Sequence, residues 1–149
     1  ASAAQLLITN VGSYQARPRE GGVWAALTEL AIHHAGDPLQ IREAVRLNAL
    51  GIVADEAGDH AAACRLYEQA LAIFERAHGP ESLLVARVVN NLGIAHKLMG
   101  DVAAARAMYG RALAIRERVL GPDHPEVASV LNNLGNLLRD TRRFDEAVA

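Results

Sequence analysis

Asparagines Asn48, Asn90, Asn91, Asn132, Asn133 and Asn136, with the basic residues Arg87, Lys97 and Arg139, are the side chains whose types and spacing best suit chemistry. An asparagine amide carries both donors and an acceptor, so it can pair with the N–H and C=O of an extended peptide whatever the peptide's side chains. Asparagine is also a poor helix former, because its side chain competes for backbone hydrogen bonds. Yet it recurs in "RLNALG" at 46–51, "VVNNLG" at 88–93 and "VLNNLG" at 130–135, each copy displaced by 42 residues. Two roles would justify the cost: holding a ligand backbone, or tying adjacent first helices together as hydrogen-bonded amides at a helix interface. Asp55, Glu56 and Asp140 interrupt the basic positions, so no single ligand charge is favoured.

Other chemistries find less support. The six histidines give no spacing that brings several ligands to one helix face, and His33-His34 is adjacent rather than one helical turn apart. His96 reads as a partly buried, hydrogen-bonded histidine, and His124 as part of a "GPDHP" turn. Cys64 is the only cysteine, excludes an intrachain disulfide, and reads as a small packed residue. Gly21-Gly22 lacks the Lys-Ser/Thr sequel of a phosphate loop. The helix carboxylates Glu68, Glu75 and Glu117 alternate with arginines, as on a solvated face. No catalytic residues, metal ligands or cofactor are expected.

The elements that must position the asparagines are read from composition and repetition. The 149 residues suffice for one domain or a short repeat array, and the abundance of alanine, leucine, glutamate and arginine favours an all-α fold. A net charge of -2 gives no basic field for nucleic acid or an anionic membrane. No apolar run reaches the roughly 18 residues of a spanning helix, and the N-terminus lacks the basic start of a signal peptide, so a cytoplasmic location is expected.

Residues 44–85 laid on 86–127 without gaps agree at 20 of 42 positions. A third copy starts at Ala128 and stops inside its second helix, which suggests a fragment of a longer array. In each copy, residues such as Leu47, Leu50, Gly51 and Ala54, or Val89, Leu92, Gly93 and His96, form an apolar stripe on a first helix. Gly58 and Gly100 stand where a left-handed cap would end it, and Asp59 and Asp101 are N-caps for a second helix over about 60–77 and 102–119. "DHPE" at 123–126 supplies a cap, an early proline and an early glutamate for the next first helix. A glycine inside the first helix, at 51, 93 and 135, implies close packing against Ala63 and Ala105, with Tyr67 and Tyr109 filling the space between repeats.

This constellation resembles the tetratricopeptide repeat: Leu-Gly on the first helix, and Ala63 or Ala105, Tyr67 or Tyr109, and Ala70 or Ala112 on the second. The 42-residue period, with "LYEQALAIFERAHGP" and "MYGRALAIRERVLGPDHP", is similar to the subclass of kinesin light chains and of C-terminal arrays in bacterial signalling ATPases. Residues 5–43, with Val11-Gly12, "RPREGG" and Trp24, read as a degenerate repeat of the same kind. The resemblance implies a right-handed α-α superhelix of about 3.5 helix-turn-helix repeats filling residues 1–149 as one array. It implies a non-catalytic, protein- or peptide-binding scaffold whose first helices line a concave groove. The ligand backbone or a terminal carboxylate would rest on Asn91 and Asn133, then on Asn48, Asn90 and Asn132.

Two alternatives remain beside that reading. Uncovered apolar residues at the C-terminal end, such as Leu134, Leu138, Phe144 and Val148, could stack repeat ends into a homo-oligomer. The array could equally be a sensor or recruitment arm of a larger ATPase or enzyme.

Overall fold

The computed structural model describes residues 38–148, with side chains over residues 40–143. The readings of the degenerate repeat up to residue 37, of Trp24, of Gly21-Gly22 and of His33-His34 lie outside the described residues, as do the side chains of Phe144 and Val148.

Five helices follow one another: α1 (Pro38–Glu56), α2 (His60–His78), α3 (Leu83–Leu98), α4 (Val102–Leu120) and α5 (Pro125–Val148). They form an all-α solenoid in which α2 packs on α1, α4 packs on α3, and α3 and α5 each close against the preceding second helix. The chain turns between α1 and α2 at Gly58 (φ 85°), a left-handed conformation that a side chain would strain. Gly100 (φ 82°) repeats the device between α3 and α4. Asp59 and Asp101 then accept hydrogen bonds from the amides of Ala62 and Ala104, at 2.9 and 3.1 Å, and so start the second helices as the sequence predicts. α5 starts differently: the ring nitrogen Nδ1 of His124 accepts from the Glu126 amide, just before Pro125 occupies the first helical position.

The first helices begin several residues before the 44, 86 and 128 boundaries taken from sequence identity, because self-alignment finds the period and leaves the phase free. A second difference concerns the third copy. The sequence predicts a break into a second helix near residue 142, whereas α5 runs unbroken for 24 residues. Forty-two residues beyond the Gly100-Asp101 turn stand Arg142 and Arg143. Arginine is a good helix former and supplies neither a left-handed cap nor an N-cap, so nothing ends the helix there.

The core is one cluster running through the stack, with Ile41, Ala63, Phe74, Val85, Val88, Ala105 and Leu137 nearly solvent-free. Tyr67 and Tyr109 are its largest fully buried side chains. Each ring occupies the place where a Cβ on the facing first-helix glycine would stand. A Cβ on Gly51 would come within 2.5 Å of the Tyr67 ring, and one on Gly93 within 2.7 Å of the Tyr109 ring. The glycine therefore makes room for the tyrosine itself, a tighter relation than the backbone approach over Ala63 and Ala105 that the sequence suggests. Burial pushes the Tyr67 phenol far up and the Tyr109 phenol up to about 12, so both rings stay neutral. The stripe also holds a departure: Leu92 is 2% exposed, but its counterpart Leu50 is 40% exposed.

Candidate functional site

The first helices α1, α3 and α5 lie in sequence along one side of the stack, and polar side chains join them directly. Asn91 donates its side-chain N–H to Oδ1 of Asn48 at 3.1 Å, and Asn133 donates to Oδ1 of Asn90 at 3.2 Å. Lys97 Nζ meets Asp140 Oδ2 at 2.9 Å. All three links span 43 residues, one repeat plus one position, and so run diagonally from each first helix to the next. The one-residue offset follows from geometry: successive asparagines point about 100° apart around a helix. Asn90 reaches forward towards α5 while Asn91 reaches back to α1.

The nine candidate residues therefore do not form a uniform strip. Asn48 is 4% exposed and acts as an acceptor for Asn91. Ile52, on the same strip, is also buried, and Asp55 is drawn to Nδ1 of His60 on α2, so α1 presents little free polar surface there. On α3, Arg87, Asn90, Asn91, Ile94 and Lys97 are half-buried. On α5, Asn132 and Arg139 are exposed, Asn133 and Asn136 are half-buried, and Arg139 donates to Oδ1 of Asn136 at 2.6 Å. The strip thus opens progressively from α1 to α5.

Its electrostatics are balanced rather than basic. The hydrogen bond from Lys97 holds the Asp140 carboxyl below the usual carboxylate range, and the carboxylate offsets the positive end of that contact. The sequence identifies Asp140 as an interruption of the basic positions but not as the partner of Lys97. That pairing becomes visible only when the 43-residue offset is known. Chemically, the arrangement offers fixed amides: each of Asn91 and Asn133 spends one N–H on its neighbour and keeps its carbonyl oxygen and a second N–H for other partners.

His96 departs from its sequence reading. Its buried Nδ1 has no hydrogen-bond partner among the described residues and lies 3.8 Å from Asp101 Oδ2, an ion-pair distance only. Cys64 is a free, buried thiol whose pKa burial pushes upward, which lowers its reactivity at neutral pH. Among the described residues no group of three or more His, Cys, Asp or Glu side chains could hold a metal ion. None of the described helices is long and apolar enough to cross a membrane.

On the opposite side of the stack, Arg111 of α4 pairs with Glu75 of α2, and Arg118 Nη2 meets Glu81 Oε1 at 2.6 Å. Arg116, buried where the preceding repeat carries Phe74, donates to the carbonyl of Glu126 at 2.9 Å and anchors the start of α5.

Comparison with known proteins agrees with this architecture. A tetratricopeptide repeat family model matches residues 41–117 and again 88–149. The crystal structure of BtubC (BKLC) from P. vanneervenii superposes with a TM-score of 0.65 at 25% sequence identity, over 99% of this chain and 70% of that one. No curated protein matches the sequence.

Proposed function

The chain belongs to the tetratricopeptide repeat family, whose repeats generally mediate protein–protein interaction, and on that premise we propose that it is a non-catalytic scaffold binding a peptide segment of a partner. The binding surface is a concave groove lined by α1, α3 and α5. Asn133 and Asn91 are the ligand clamps, Asn132, Asn136 and Arg139 extend the surface on α5, and Asn48 and Asn90 orient the clamps from behind. Arg87 and Lys97 border the groove on α3. The observation that carries this reading is the pair of asparagine–asparagine bonds, because a hydrogen bond to a fixed neighbour aims the remaining amide atoms before any ligand arrives. The 42-residue repeat division, the kinesin-light-chain-like subclass and a cytoplasmic location belong to the same proposal. Nucleic acid and membranes are not among the partners.

Asn133→Ala is the cleanest test. Its partner Asn90 is half-buried and can turn to water, whereas Asn91→Ala would strand the buried Asn48 acceptor at a cost of about 1–3 kcal/mol. Screened against a peptide library, Asn133→Ala should lose the peptides captured by the wild type while melting within a degree or two of it. Retained capture with a melting point several degrees lower would make the asparagines inter-helix ties and end the groove reading.

A further inference from the structure

The two polar joints between α3 and α5 occupy equivalent places and differ in kind. Lys97 follows Asn90 by seven residues and Asp140 follows Asn133 by seven, so each lies two helical turns along nearly the same line of its helix. The first joint is a pair of amides, whereas the second is an ion pair, with Lys97 Nζ 2.9 Å from Asp140 Oδ2. One repeat earlier the corresponding positions hold Asp55 and Leu98, which offer no such pair, and Asp55 meets His60 of α2 instead. The ion pair is therefore an addition to the ladder between α3 and α5, not a feature of the repeat.

Asp140 gathers more basic side chains than one bond needs. The hydrogen bond from Lys97 is the strongest influence that keeps its carboxyl low, and Arg139 and Arg143 act in the same direction. Arg139 also donates to Oδ1 of Asn136, on the groove line of α5. Lys97, Arg139 and Arg143 thus serve one carboxylate at one end of the asparagine strip. That carboxylate stands on a side chain that is 50% exposed, and an exposed ion pair adds little to a fold. The pair can exchange its carboxylate for another without loss to the helices that carry it.

We propose that Asp140 is a built-in competitor of the groove's ligand: it holds the place of a peptide carboxylate on Lys97, Arg139 and Arg143, and a peptide occupies that end only by displacing it. This rests on the groove reading above and adds the chemistry of the occupant and a brake on its affinity. A ligand whose backbone lies on Asn133 presents its carboxylate two helical turns away, roughly 10 Å along α5. The peptide gains only what Asp140 gives up, so the wild-type chain takes acidic segments weakly and reversibly.

The experiment uses the full 149-residue chain and three labelled octapeptides read by fluorescence anisotropy: (Ala-Asp)4 amide, (Ala-Asn)4 amide, and (Ala-Asn)4 with a free C-terminus. D140N should bind a carboxylate-bearing peptide at least tenfold more tightly than the wild type, with a gain that falls as salt rises, and should bind (Ala-Asn)4 amide within twofold of it. A gain confined to (Ala-Asp)4 assigns the place to an acidic side chain, and a gain confined to the free C-terminus assigns it to a chain end. K97Q added to D140N should remove the gain. D123N makes the same charge change on an exposed residue before the other end of α5 and should leave every affinity within twofold. No gain in D140N, an equal gain in D123N, or a D140N chain that melts several degrees below the wild type overturns the proposal. Loss of all binding in Asn133→Ala with no gain in D140N ends this inference and keeps the groove. A D140N gain that Asn133→Ala leaves intact keeps the role of Asp140 and ends the groove reading.

Discussion

α3 and α5 carry nearly the same phrase, "VVNNLG" and "VLNNLG", in opposite circumstances. Over α3 lies α4, with Val89 and Leu92 buried and the Tyr109 ring pressed against Gly93. Over the matching face of α5 nothing described is packed, and Leu131 and Leu138 stand half in solvent. The difference teaches that a repeat residue has no fixed energetic sign. In a helix interior glycine costs about 1 kcal/mol relative to alanine, and only a neighbour that needs the missing side chain can return it.

The comparison can be broken or sharpened by substitution. Tyr109→Ala removes the ring that α3 is shaped around and should cost about 3–5 kcal/mol, read from chemical denaturation. An effect below 1 kcal/mol would mean that the socket does not hold the repeat together. Gly93→Ala forces a Cβ to within 2.7 Å of a ring with no room to retreat, and should destabilise by about 1–3 kcal/mol. Gly135→Ala should have the opposite sign, a gain of about 0.5–1 kcal/mol, because among the described residues the new Cβ meets no atom and the change improves helix propensity. If thermal melts move the two glycine variants in the same direction, the contrast between the helices fails.

Much of this organisation was legible in the sequence, for reasons that differ from residue to residue. Gly58-Asp59 and Gly100-Asp101 announce their turns because a left-handed cap and an N-cap are local devices that few residue types can supply. The second-helix bounds followed to within a residue. The unbroken run of α5 was written in Arg142-Arg143, but a search for repeats rewards agreement and passes over a missing cap. The candidate residues were found by type and by periodicity, whereas their pairing was not. A helical wheel places Asn90 and Asn91 on neighbouring faces of one cylinder, and which of them meets Asn133 or Asn48 depends on how two cylinders are offset. The exposure of Leu50 against the burial of Leu92 is likewise a property of the stack rather than of the repeat.

The uniform span of the polar links has a kinetic consequence. If side-chain ties between neighbouring first helices reach 43 residues and no further, the chain closes only short loops as it folds, and its contact order is low. Formation then resembles the growth of a one-dimensional crystal: a helix pair such as α3–α4 can nucleate, and each neighbour adds against an edge that already exists. Stability in such a lattice is a sum of local couplings, so a fault in one repeat lowers cooperativity at its two boundaries and leaves distant repeats to fold on their own terms.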